Sequence, residues 1–166
     1  MESFESFADA ATPWLFGLAH ALTKNEHDAW DLTQDTLVRL LSAWPHTKMS
    51  NPHWYARTTM VRLNVDRLRR LRSHWRLTAP ESQVVEDPAA DSLEEWLAEG
   101  IRGLSPKQRT AVVLRYAEDL SVEAIAVAMQ CSNGTARSHL SRGMERLRQL
   151  AIRVADAEEV DYGSRG

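Results

Sequence analysis

Residues Leu104 to Arg148, LSPKQRTAVVLRYAEDLSVEAIAVAMQCSNGTARSHLSRGMERLR, decide the fold, because two short helical patterns lie in them on either side of a turn. Ser121 precedes Val122, Ile125, Ala126 and Met129, an apolar stripe at i, i+3, i+4 and i+7, and its hydroxyl is placed to cap the first free N–H groups. This spacing predicts a helix over about 121–129. Gln130 and Cys131 break the stripe, Ser132 offers a second cap, and Ala136, Leu140, Met144 and Leu147 restart the apolar spacing from about residue 133. The opposite face of this second helix carries Arg137, Ser138, Ser141, Arg142, Glu145 and Arg148. Such a face suits a recognition helix whose N-terminal half enters a major groove while its Arg side chains meet phosphates. An ordinary helical hairpin with a solvated basic face has the same periodicity, so spacing by itself leaves both open.

Upstream of this unit, Ser105 with Gln108 three residues on, and Pro106 at the first helical position, form a capping box that predicts a helix over 106–118 with Val112 and Tyr116 inward. Before it, a helix starts at Asp91 or Ser92, turns Leu93, Trp96, Leu97 and Ile101 one way and stops at Gly103. Residues 77–90, LTAPESQVVEDPAA in the main, combine prolines, Ser and acids without periodicity and read as an extended linker. From Asp156 the chain has acids and glycines but no stripe, and residues 153–166 are expected to be a disordered acidic tail.

The first half holds three helical patterns. Phe4, Phe7, Ala8, Ala11, Leu15, Leu18 and Leu22 keep helical spacing, with Pro13 as a point where the helix kinks or restarts. A second helix, about 26–44, sets Ala29, Leu32, Thr36, Leu40 and Trp44 on one side and Asp28, Asp31 and Asp35 on another, until Pro45 ends it. Three carboxylates on one stripe suit a divalent metal or acid/base chemistry, but no phosphate loop or activated nucleophile accompanies them, so a solvated or partner-binding face is the better reading. Asn51 caps and Pro52 begins a third helix running to about Arg76, with Trp54, Val61, Leu68 and Trp75 seven apart and Thr58 and Val65 between them as its inward seam. Arg62, Arg69 and Arg76 form a parallel row, with Arg57, Arg67, Arg70 and Arg72 beside it. Seven Arg against the single acid Asp66 exceed what solubility needs and point to a nucleic-acid backbone.

These patterns define an all-α chain of two small helical domains: residues 1–76, the linker 77–90, residues 91–152 and the tail 153–166. With 166 residues, 43% of them hydrophobic, there is material for two cores. The net charge of −3 argues against a freestanding DNA binder, but the charge is segregated. Residues 1–35 hold seven acids against Lys24, residues 57–76 the seven Arg, and residues 77–101 seven acids with no Lys or Arg, as several distinct partners would require. The single Cys131 excludes an internal disulfide and a Cys-based zinc site, and the six His lack metal-ligand spacing, so no metal, cofactor or catalytic residue is expected. The longest uncharged run, Ala10 to Thr23, is too short to span a bilayer and the start MESFESFAD is no signal peptide; a cytoplasmic protein with no membrane partner is expected.

The run SVEAIAVAMQCSNGTARSHLSRGMERLR closely resembles region 4.2 of bacterial RNA polymerase sigma factors of the extracytoplasmic-function (ECF) group, sigma-70 family, with Gly134, Thr135, Arg137, Ser138, Leu140, Ser141 and Arg142 on the motif positions. Gln130 stands where the turn usually has Gly, and His139 where a basic residue is common. DAWDLTQDT resembles region 2.2, which implies that Asp28, Asp31, Gln34 and Asp35 bind core polymerase at the β′ clamp helices; Trp30 replaces the usual acid. The Arg-rich helix resembles regions 2.3 and 2.4. The resemblance implies that Trp54, Tyr55, Arg57, Arg62, Asn64, Arg69 and Arg70 melt and hold the minus-10 element, although Trp54 reads equally well as core. It likewise assigns Arg115, Thr135, Arg137, Ser138, Ser141 and Arg142 to minus-35 DNA, with Arg115 and Arg142 on phosphate.

The partners so implied are core RNA polymerase (β′ clamp helices and β flap), promoter DNA and, as a third kind, an anti-sigma factor; the function implied is that of an alternative sigma factor. Two rivals remain. A stand-alone helix-turn-helix regulator would need a sensor domain or dimer seam that the first half does not offer. A noncatalytic polymerase-binding adaptor would leave the Arg-rich helix unexplained.

Overall fold

The computed structural model describes residues 3–46, 50–77 and 93–163, and among them every regular element is helical. In chain order these are α1 (Phe4–Thr23), α2 (Glu26–Ala43), a 3-10 turn at Trp44–His46, α3 (Pro52–Leu77), α4 (Leu93–Gly103), α5 (Pro106–Tyr116), α6 (Val122–Met129) and α7 (Asn133–Gly163). The expected linker falls almost wholly outside the described residues.

Short polar side chains start most of these helices. Ser3, Asn25, Ser105 and Ser121 each accept from the backbone N–H three residues on, and Ser105 with Gln108 completes the capping box read from the sequence. Asn51 does the same for α3 through Trp54 N–H at 2.9 Å, and Ser132 for α7 through Thr135 N–H at 3.1 Å. Pro13 neither ends nor splits α1, which runs on to a left-handed Lys24 (φ 74°). Gln130 closes α6 in the left-handed conformation (φ 54°, ψ 48°), where its N–H reaches the carbonyls of Ala126 and Val127. A Gln there bears a cost that Gly would not, and those two bonds offset part of it.

α1 lies along α2, α2 along α3, and α5 and α6 pack on α7. The two halves also meet each other, α1 against α5 and α3 against α6. One apolar cluster therefore runs from Phe7, Leu15, Leu22, Leu40 and Met60 into Val113, Leu114, Ile125 and Met129. A smaller one, Leu104, Val112 and Leu147, joins α5 to α7. α5 lies in the middle, and Arg109 through Leu114 are six consecutive buried residues. A helix enclosed on all sides needs no single apolar stripe, and this displaces one expectation: Tyr116, read as inward, is 64% exposed where α5 ends.

α3 departs from the heptad seam in the same way. Its buried row is Ala56, Met60 and Asn64, four apart, with Thr58 and Val61 beside it. Trp54, in the first turn at the margin of this row, is 43% exposed, Val65 and Leu68 are half-buried, and the side chain of Trp75 lies outside the described residues. The chain after Asp156, read as disordered, instead continues α7 to Gly163. Ala155, Ala157, Glu158 and Glu159 are strong helix formers, and no Pro or Gly interrupts them before that point.

α5 crosses α7 closely at Gly143, where an added Cβ would come within 2.8 Å of Val112 Cγ2 and 3.4 Å of Gln108 Cβ. Val112 is buried and β-branched, so it has no rotamer to retreat into. Gly143→Ala is expected to lower stability by about 1–2 kcal/mol despite its better helix propensity. Adding Val112→Ala should cost less than it costs alone, because it empties the clashing space; strict additivity in denaturant unfolding would contradict the crossing.

Candidate nucleic-acid interface

α2 turns two different faces outward and inward. Ala29, Leu32, Thr33, Thr36 and Leu40 are buried, with the Thr hydroxyls donating to the carbonyls one turn back. Asp31, Gln34 and Asp35 are exposed, and beside them stand three large apolar side chains, Trp30 (42% exposed), Val38 and Leu41. Trp30 leans on Phe16 of α1 with ring centroids 4.4 Å apart, so the aromatic that replaces an acid has a packing partner. Asp31 is met by His27 at 3.4 Å on the exposed surface.

Asp28 does not belong to that outer face. Its carboxylate accepts from Arg67 of α3 at 2.5 Å and from Asn25 Nδ2 at 2.7 Å, in a half-buried position. The Arg67 hydrogen bond is the main cause holding its carboxyl below the usual range, against an opposing push from burial. Asp28 thus fastens α2 to α3 and stands apart from the exposed Asp31, Gln34 and Asp35.

α3 carries the Arg-rich face. Arg62, Arg69, Arg70 and Arg72 are exposed, Arg69 with Asp66 at 3.6 Å. Tyr55, Thr59, Arg62, Leu63 and Asp66 of α3 and Arg39, Ser42 and Ala43 of α2 line an open cleft of about 390 Å³. A tyrosine ring flanked by two guanidinium groups can stack a base and hold the adjoining phosphate. Arg39 was missed in the sequence because it sits on the helix read for its acids.

Two expected nucleic-acid residues are placed otherwise. Asn64 is 2% exposed on the buried row of α3, its Nδ2 without a partner among the described residues, so it cannot reach a base in this conformation. Arg57 is largely covered. Its Nε donates to Glu118 at 2.7 Å, and its guanidinium carbon lies 5.8 Å from the centroid of Trp14.

In the second half, α6, the turn at Gln130 and α7 form the helix-turn-helix read from the sequence. Thr135, Arg137, Ser138, Ser141 and Arg142 are all exposed on the N-terminal half of α7, while Ala136 is buried and Leu140 half-buried against the core. Arg115 is exposed in the last turn of α5, where it donates to the Leu120 carbonyl at 2.9 Å. His139 is half-buried; desolvation, then Lys107 and Arg142, push its pKa down, which disfavours a positive charge there.

A model of sigma-70 region 2 matches residues 7–74 and one of sigma-70 region 4 matches residues 94–147, in that order along the chain. The RNA polymerase sigma-E factor of Streptomyces coelicolor is 32% identical, over 98% of this chain and 94% of its own length. The chain belongs to the ECF group of sigma-70 family sigma factors. The ECF sigma factor SigW of Bacillus subtilis is 26% identical over 89% of this chain and 88% of its own. The sigma factor RpoE of Bartonella quintana, solved in complex with the anti-sigma factor NepR, superposes with a TM-score of 0.70 at 26% identity, over 90% of this chain and 96% of that one. The protein is an alternative sigma factor, a transcription initiation factor that works with RNA polymerase on promoter DNA. Among the described residues no helix is long and apolar enough to cross a membrane, and no cluster could hold a metal ion.

The fastening role of Asp28 has a pH signature. A carboxyl whose folded pKa is depressed contributes stability in full above its unfolded value, and loses it as pH falls through the folded one. Wild-type stability is therefore expected to drop as pH falls below about 4. Asp28→Asn should be less stable at neutral pH and show a shallower acid limb in thermal melts; an unaltered acid limb would contradict the Asp28 to Arg67 tie.

Proposed function

We propose that this sigma factor divides its work among three exposed faces. The outer face of α2, with Asp31, Gln34 and Asp35 beside Trp30, Val38 and Leu41, binds the β′ clamp helices of core polymerase. The α2–α3 cleft and the exposed Arg62, Arg69 and Arg70, with Trp54 and Tyr55, hold minus-10 DNA, each stacked base contributing roughly 1–3 kcal/mol. The N-terminal half of α7 reads the minus-35 element through Thr135, Arg137, Ser138 and Ser141, while Arg142 and Arg115 hold phosphate, with the β flap as the neighbouring polymerase contact. The observation that carries this reading is the joint exposure of the five α7 residues on a helix-turn-helix, in one chain with the acidic α2 face. The chemistry of transcription belongs to the polymerase, so the chain itself is no enzyme, and its place of action is the cytoplasm. The Bartonella relative solved with NepR supports an anti-sigma factor as a further partner here.

The test is capture of core polymerase by the Asp31→Lys/Asp35→Lys double variant. Both carboxylates are exposed, so helix content by circular dichroism should be unchanged. Reversing two charges at an interface is expected to weaken capture on the order of tenfold or more. Full capture by the folded double variant would remove the acidic face from the contact.

A further inference from the structure

Glu118, in the turn after α5, reaches out of the second half of the chain into the first. Its Oε1 accepts from Trp14 Nε1 of α1 at 3.0 Å, and its Oε2 accepts from Arg57 Nε of α3 at 2.7 Å. The side chains of Arg57 and Glu118 are only 18% and 8% exposed. A carboxylate so placed, accepting from a guanidinium through one oxygen and from an indole N–H through the other, has the chemistry of a nucleic-acid phosphate next to a base. Arg57 lies on the same helix as Arg62, Arg69 and Arg70, which hold DNA in the proposed function, but its own guanidinium is engaged by the other half of the chain. α6 packs on α3 in the same closed arrangement. Charge-assisted bonds sheltered from water are stronger than exposed ones, and a partner that takes Arg57 must first replace Glu118.

We propose that Glu118 is an internal stand-in for a DNA phosphate: it latches region 4 onto region 2 through Arg57 and Trp14, and single-stranded minus-10 DNA competes with it for Arg57. Opening of the two halves and capture of the unpaired strand are then one coupled equilibrium, in which each favours the other by the same factor. The coupling half of this rests on the nucleic-acid role of Arg57; the latch itself does not.

The experiment uses the full chain with four substitutions. Glu118→Gln keeps the shape and an acceptor for Trp14 but removes the charge. Glu123→Gln removes one acid at an exposed site of α6 and measures what a bare change of net charge does. Arg57→Ala, combined with Glu118→Gln, removes the contested group. Small-angle scattering reports the separation of the two halves, and fluorescence anisotropy at fixed salt reports binding of a labelled single-stranded oligonucleotide. Glu118→Gln is expected to expand the free protein and to bind the oligonucleotide roughly fivefold or more tighter than Glu123→Gln. That gain should vanish in the Arg57→Ala background. Trp14→Phe, which deletes the second donor without touching charge, should expand the protein in the same direction. Scattering unchanged by both Glu118→Gln and Trp14→Phe would overturn the latch. Expansion without any gain in affinity, or a gain that survives Arg57→Ala, would overturn the competition for Arg57 while leaving the latch standing.

Discussion

The buried guanidinium of Arg109 ties together helix ends from both halves of the chain. It donates to the carbonyls of Leu104 at 2.9 Å, Ile101 at 3.2 Å and Arg102 at 3.4 Å around the end of α4, and to Leu22 at 3.0 Å in the last turn of α1. The final carbonyls of a helix lack intrahelical donors and sit at the negative end of its dipole, so a cation there answers two needs at once. Desolvation pushes the Arg109 pKa down to about 10, which still leaves it charged at neutral pH. Those carbonyls would lose this donor in any aliphatic replacement, Ile101 keeping the Leu104 N–H at 3.2 Å, at roughly 1–3 kcal/mol for each group left without a partner that water could not reach. Held in this way, α5 can be buried from Arg109 to Leu114 and can join the cores of both halves.

From that constraint the distribution of surfaces follows. With α5 enclosed, α6 and α7 are carried on it so that the apolar residues of α7 face inward and its reading side chains face out. The closed packing leaves the acidic and apolar outer face of α2 exposed and covers Arg57 of α3. In the proposed division of surfaces, a free protein in this form offers polymerase the α2 face while Arg57, the group for which DNA is proposed to compete, is engaged internally. Its net charge of −3 adds no general attraction for DNA, the term on which nonspecific binding mostly rests.

Local chemistry was legible in the sequence. The caps at Asn51, Ser105, Ser121 and Ser132, the start of α7 and the exposure of its reading residues all follow from neighbours within a few positions. What escaped was chemistry between distant segments. Arg109 meets Leu22 across 87 residues, Glu118 meets Arg57 across 61 and Trp14 across 104, and no periodicity encodes such pairs. Asp28 looked like one of three equivalent acids until Arg67 singled it out. Asn64 and Trp54 changed places because the buried row of α3 advances by four rather than seven, which puts the polar residue inside and the large aromatic at the margin. The family resemblance placed regions 2 and 4 in their order along the chain, but motif positions do not say which member of a motif faces a partner and which faces the rest of the chain.

The central claim is that promoter recognition is a joint act of this chain and core polymerase, which supplies phosphate contacts and holds the two DNA-binding faces at promoter spacing. Fluorescence anisotropy on a labelled promoter duplex, at fixed salt, with and without core polymerase, tests it most directly. The account predicts weak binding without sequence preference by the chain alone, and sequence-specific binding once core is present. Tight, specific binding by the chain alone, above all to a palindrome with two chains per duplex, would contradict it.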